Sequence, residues 1–179
     1  MIWKLINGIF FILIFGRGYC QVNPKINEDN YQKAVFIERL TRFVRFDSIC
    51  PAPSDSFYLT FLGNKIPDIQ LTEIFDTLKI SDKPVRLKQT DRVKEIFPCN
   101  LLFVCRDQGK AFPAIEKMLD KRCILVLGDT PGFVDKGVVI NMLYIDNQIR
   151  YEISLKAAQK YHLQIDRMFL MNAHWVDKL

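Results

Sequence analysis

Apolar and polar positions alternate with different periods along this chain, and each period predicts an element. From Asn30 to Phe46, Ala34, Ile37, Leu40 and Val44 recur at three- and four-residue spacing, which predicts an amphipathic helix. Arg39, Arg42 and Arg45 fall on another stripe, read as a solvated face. Phe57–Gly63 ("FYLTFLG") reads as a strand stopped by Gly63, and Pro67–Ile80 as a helix with Pro67 near its start. "PVRLKQ" alternates apolar and basic residues, as a half-exposed strand does, and "DRVKEIF" reads as a short helical turn. "NLLFVCR" and "CILVLGD" are buried strands, separated by a helix over "GKAFPAIEKMLD" that Pro113 interrupts early. Val138–Ser154 then changes pattern: two strand-like runs meet at Asp146-Asn147, the signature of an antiparallel hairpin. A helix from Leu155 to Tyr161 follows. Strands alternating with helices imply right-handed crossovers. The expected fold class is α/β: a mostly parallel sheet flanked by helices on both faces, with an antiparallel edge hairpin near the C-terminus.

The N-terminal pattern is of another kind. "MIWKLINGIFFILIFGRGYC" has an early Lys, an apolar stretch from Ile9 to Phe15, and small residues before a polar segment. This run is shorter than the ~20 residues of a membrane span and reads as a secretory signal. The expected organisation is a signal peptide over 1–20 and one α/β domain over 21–179, a size that buries its own core. An uncleaved anchor and lipidation at Cys20 are the alternatives. The net charge of +5 falls to +3 without the first twenty residues, which removes Lys4 and Arg17 and no acid. That excess is too small to predict nucleic-acid binding.

Export gives the cysteines a meaning. Cleavage at or after Cys20 leaves Cys50, Cys99, Cys105 and Cys123, with three full connectivities in an oxidising compartment. Cys99 and Cys105 flank one strand and sit about 20 Å apart if it is extended, so they do not pair with each other. Cys50, Cys99 and Cys123 are the disulfide candidates, Cys99 with either of the others being geometrically easy; buried free thiols are the competing reading.

"GDTPG" at the end of an apolar run is how the second nucleotide motif of a GTPase often reads, but no phosphate-binding Gly-x-x-x-x-Gly-Lys-Ser/Thr loop precedes it. The sequence has only two histidines, His162 and His174, no His-Glu-x-x-His pairing and no Gly-x-Ser-x-Gly elbow. No metal, cofactor or catalytic residue is therefore expected. Asp129 falls at the carboxyl end of a parallel strand, where α/β folds place ligands. The competing reading makes Asp129 and Thr130 part of a turn, with Gly128 and Gly132 supplying flexible backbone and Pro131 fixing φ.

The ordered series "KAVFIERLTRFVRF", "FYLTFLG", "CNLLFVC", "ILVLGDTPGFVDKGVVINM" and "IRYEISLKAAQKYHL" resembles the YfiR family of bacterial periplasmic proteins, from about Lys33 to Val176. Asp129, Pro131, Gly132 and Phe133 match the family turn; Gly137 and Asn141 match the following Gly and Ile-Asn; Arg150 and Glu152 match the strand after the hairpin turn. The first helix departs from the family by ending in Phe46-Asp47 where a Trp-Pro pair is usual. The resemblance implies a non-enzymatic regulator that binds the periplasmic part of an inner-membrane signalling protein, a diguanylate cyclase or a sensor kinase. Cysteine redox state and an outer-membrane partner are implied as ways of relieving that repression, and a homodimer is compatible with it.

The partner- or ligand-binding candidates are thus Asp129, Pro131, Gly132, Phe133, Asn141, Arg150 and Glu152. An exposed edge hairpin offers free backbone groups to a partner. Phe133 is either an exposed aromatic anchor or core beneath the turn, and Arg150 and Glu152 form a charged patch or pair with each other. The alternatives in function are a periplasmic small-ligand-binding protein with a cleft near Asp129 and Arg150, and, more weakly supported, a hydrolase built on Asp129 and His162.

Overall fold

The computed structural model describes residues 28–50, 55–63, 68–146 and 148–177; the expected signal peptide lies outside them. The chain runs through α1 (Glu28–Thr41), β1 (Val44–Phe46), β2 (Phe57–Leu62), α2 (Asp68–Thr77), β3 (Lys79–Ile80) and β4 (Lys83–Thr90). It continues with β5 (Leu101–Val104), α3 (Phe112–Leu119), β6 (Leu125–Gly128), β7 (Ile140–Ile145) and β8 (Gln148–Ile153). The last elements are α4 (Leu155–Lys160), β9 (Leu163–Ile165), α5 (Arg167–Met171) and β10 (Trp175–Val176).

Eight strands form one sheet in the order β10-β8-β7-β6-β5-β2-β4-β3. The centre, from β4 through β2, β5 and β6 to β7, is parallel. β7 and β8 are the antiparallel hairpin, with Asn141 opposite Glu152 and Leu143 opposite Arg150. The fold class is the expected one: mixed α/β, mostly parallel, with the hairpin near the C-terminus. All four residues of β5 and of β6 are buried, which is why both read as uninterrupted apolar runs.

Several expectations need correction. The first helix does not reach Phe46. It stops at Thr41, and Val44–Phe46 pair antiparallel with Leu163–Ile165 to make a separate two-stranded sheet. Tertiary pairing with a distant strand overrides the local helical period there. The second helix likewise ends at Thr77, and Lys79–Ile80 turn back along Pro84 and Lys83 as an edge strand. Nor is the hairpin edge free along its length. β10 lies parallel to β8, with Trp175 opposite Glu152, and the His174 and Asp177 N–H groups donate to the Tyr151 and Ile153 carbonyls. Pro113 sits in the first turn of α3, where its missing N–H costs nothing, and so begins that helix instead of interrupting it.

Cys50 and Cys123 are joined by a disulfide that ties the segment after β1 to the start of β6. Of the three disulfide candidates Cys99 is left out of the bond: Cys99 and Cys105 are both buried outside the disulfide, the competing reading. Burial pushes the Cys99 thiol up to about 12, and its Sγ donates to the Leu101 carbonyl at 2.9 Å. Among the described residues no helix is long and apolar enough to cross a membrane.

Candidate functional site

The residues singled out at the end of β6 are assembled by one turn. The Phe133 N–H donates to the Thr130 carbonyl at 3.1 Å, closing a four-residue turn with Pro131 and Gly132 at its corners. Gly132 has φ +79°, the conformation that a Pro-Gly turn of this kind demands at its third residue. Pro131 and Gly132 are exposed and form the crest of the turn.

Phe133 is not on that crest. Its ring is 2% exposed and packs edge-on against Phe112, with centroids 4.9 Å apart. Gly128 makes room for it: a Cβ there would lie 2.8 Å from Phe133 Cδ2. The ring therefore anchors the turn from beneath, and the open choice between anchor and core is settled in favour of core.

Below the turn lies a buried polar clamp. Asn141 on β7 is fully buried, yet each polar atom of its carboxamide has a partner. Its Oδ1 accepts from the Thr130 N–H at 3.2 Å, and its Nδ2 donates to the Thr130 carbonyl at 3.0 Å and to Glu152 Oε2 at 3.1 Å. One side chain thereby holds the loop after β6 and the hairpin strand β8 in register. Asp129 points the other way, to α1, where Lys33 Nζ donates to Oδ2 at 2.7 Å. Both partners are only about a quarter exposed, and such a half-sheltered pair stabilises by about 1 kcal/mol.

Asp129, Phe133, Asn141 and Glu152 are thus brought together with the Pro131-Gly132 crest. Arg150 is not part of that group. It sits two residues before Glu152 on β8, exposed, and no ion pair joins the two among the described residues. His162 lies with β1, its carbonyl accepting from the Asp47 N–H, and shares no contact with Asp129 that would make a catalytic pair.

Two openings flank the turn. A cleft of about 220 Å³ lies between Gly132, Asp135, Glu152, His174 and Trp175. A groove of about 960 Å³ runs between α3 and α4, with Phe112, Val134 and Trp175 as apolar walls and Lys110, Lys136, Lys156 and Lys160 around it. Asp129 and Arg150 line neither. Among the described residues no cluster of three or more His, Cys, Asp or Glu is arranged to hold a metal.

Sequence reasoning missed Lys33 and Asp177. The Asp177 carboxylate accepts from Ser154 Oγ at 2.7 Å and from the Leu155 N–H at 2.5 Å, so it caps α4 beside the Ser154 N-cap. Ser154 before a helix is a local cap signal, whereas Asp177 and Lys33 act through the fold and carry none.

The fold is similar to the ABC domain in complex with L-Trp from Streptococcus pneumonia, at TM-score 0.57 and 13% identity, covering 83% of this chain and 62% of that one. It is also similar to a conserved domain protein from Vibrio cholerae O1 biovar El Tor strain N16961, at TM-score 0.53 and 10% identity, covering 83% and 60%. This chain therefore spans less than two thirds of either neighbour, and at these identities the likeness concerns fold alone. No curated protein sequence matches. The YfiR/HmsC-like family matches residues 30–174, from the first helix to the segment just before β10, with the turn and clamp inside the match. The chain belongs to the YfiR/HmsC-like family.

Proposed function

We propose that this protein is a non-enzymatic periplasmic regulator that binds the periplasmic part of an inner-membrane signalling protein, a diguanylate cyclase or a sensor kinase, and holds its output down. Family membership over residues 30–174 carries this reading. The Cys50–Cys123 disulfide supports the compartment, since such bonds persist where the surroundings are oxidising. The N-terminal apolar run read as a secretory signal points the same way. Of the candidate contact residues, Pro131, Gly132 and Arg150 are exposed and available to a partner, while Phe133 and Asn141 act by holding the turn in shape.

The test is cross-linking in the native host, followed by recovery of the tagged protein and mass spectrometry of what accompanies it. Recovery of an inner-membrane cyclase or kinase, reduced in Arg150→Glu, supports the reading. Deletion of the gene then raises cyclic di-GMP or kinase output. Recovery of no membrane protein, under conditions that capture a known periplasmic complex, sinks it.

A second reading, small-ligand binding, is favoured by the groove of about 960 Å³ between α3 and α4 and by the L-Trp complex of the streptococcal neighbour. The ligand would lie against Phe112 and Trp175, away from Asp129 and Arg150. A metabolite that survives purification, and is lost in Trp175→Ala, is the observation that would favour it over the regulator.

A further inference from the structure

A row of aromatic rings crosses the molecule from α1 to the surface beside α5. Phe36 meets Tyr151 with centroids 5.7 Å apart, Tyr151 stacks on Phe169 at 4.3 Å, and Phe169 stacks on Phe43 at 5.3 Å. The Tyr151 hydroxyl donates to the Phe169 carbonyl, and the Asp166 N–H donates to the Phe43 carbonyl, so the row is fixed at both levels. Phe43, the last ring, is 38% exposed. Next to it, α5 turns Met168 and Met171 outward, one helical turn apart, at 61% and 70% exposure.

These apolar groups are fenced by cations. Arg39, Arg42, Arg45 and Arg167 are all exposed on the adjoining ends of α1, β1 and α5. Three carboxylates accompany them: Glu38, paired with Arg42; Asp166, which accepts from the Met168 N–H as the α5 cap; and Asp47 just after β1, which accepts from the Gln164 side chain. Four cations against three anions leave a local excess of one positive charge, and Arg39, Arg45 and Arg167 form no ion pair among the described residues. Exposed Met and aromatic side chains ringed by Arg are the composition of a protein interface core with its charged surround.

From this we infer that the Phe43–Met168–Met171 surface docks a protein segment that presents apolar side chains together with Asp or Glu. Charge complementarity selects the occupant: the apolar centre is satisfied by any hydrophobic partner, but the exposed guanidinium groups around it favour a segment that brings carboxylates over a neutral or basic one. A second copy of this chain fits poorly, because a two-fold contact sets the same Arg cluster against itself. A bilayer surface fits less well, since an interfacial helix lays a continuous apolar face into the headgroup boundary, whereas α5 has five residues and, of its apolar side chains, turns only Met168 and Met171 to the surface. The inference rests on the regulator reading for its partner's identity, but its surface is separate from the Pro131-Gly132 crest.

The experiment places a photo-cross-linking amino acid at Met168 or Met171 of the full chain in its native host, with Lys94 as an exposed control position, and sequences the captured peptides. The expected capture is a protein peptide in which Asp and Glu outnumber Lys and Arg, obtained from Met168 and Met171 but not from Lys94. Its yield falls about tenfold or more in the Arg39→Glu/Arg167→Glu double variant. Both positions are exposed, and a circular dichroism spectrum shows whether the variant remains folded; Arg39→Lys/Arg167→Lys, which keeps the charge, retains capture if the variant does not. Capture of a peptide of this chain, or of a basic peptide, overturns the inference. So does sedimentation with phosphatidylglycerol vesicles, but not phosphatidylcholine ones, that the same double variant abolishes. If the tagged protein recovers its membrane partner while Met168 and Met171 capture nothing, the regulator stands and this surface falls. If they capture an acidic segment of some other protein and no membrane partner is found, the surface stands and the regulator falls.

Discussion

The Asn141 carboxamide both accepts from the N–H and donates to the C=O of Thr130, at 3.2 and 3.0 Å, so a single buried side chain serves the loop as a strand neighbour would. Parallel pairing between β6 and β7 covers only Leu127 with Ile140 and Gly128 with Asn141. The side-chain clamp extends that ladder by one rung past its end.

Asn141→Leu should therefore destabilise by about 2–4 kcal/mol, because it leaves the Thr130 amide and the Glu152 carboxylate without their buried partner. Glu152→Gln keeps an acceptor oxygen for Asn141 and should cost under about 1 kcal/mol. Urea unfolding of the three proteins checks the order.

Gly128 at the end of β6 and Gly132 in the turn should respond differently to substitution. At Gly128 a methyl group meets Phe133 at 2.8 Å and Asn141 Oδ1 at 3.1 Å, and both are held in place. Gly128→Ala should cost about 2–3 kcal/mol through overpacking. At Gly132 nothing lies within 4 Å, so Gly132→Ala meets only the backbone penalty of φ +79°, about 1 kcal/mol. Equal costs at the two positions would contradict the packing of Phe133 beneath Gly128.

Loss of the Cys50–Cys123 bond should lower stability by about 4 kcal/mol, from the entropy released to a 73-residue loop in the unfolded chain. Cys50→Ser/Cys123→Ser and reduction of the wild type should agree in their urea midpoints. Cys99→Ala should leave the number of disulfides unchanged, and Cys99 should resist alkylation until the protein unfolds.

Alkaline pH should destabilise the protein, chiefly through Cys99 and Tyr161, with Tyr151, also raised by burial, acting in the same direction. Burial raises Cys99 from 9.0 to about 12 and, with the nearby Glu116 and Asp120 charges, raises Tyr161 from 10.0 to about 12. The unfolded chain loses these protons first, so their contribution is complete below about pH 9 and declines between pH 9 and 12. Cys99→Ala should flatten the early part of that decline in thermal melts taken from pH 8 to 11.

What the sequence made legible follows from range. β5 and β6 are buried on both faces and announce themselves by composition; β7 and β8 show themselves by alternation about one turn. α4 carries a local cap in Ser154. By contrast β1, β9 and β10 have two or three residues each, and only a distant partner makes them strands. The same holds at the site. The Pro131-Gly132 turn is readable from residue type, but the burial of Phe133 depends on Phe112 at the start of α3, and Asp129 takes its partner from α1, neither of which follows from local spacing.

The pairing of β1 with β9 also sets a sequence in time. A chain delivered N-terminus first presents Val44–Phe46 long before Leu163–Ile165, and Glu152–Ile153 before Trp175–Val176. Cys50 waits in the same way for Cys123. The central strands β2, β4 and β5 have both their neighbours by the time β6 emerges, so the sheet grows outward from a finished middle while both β1 and the outer edge of β8 stay open. During that interval the nascent molecule offers strand edges to any chain beside it, and a chaperone that covers such edges has most to do between the arrival of Ile153 and that of Val176.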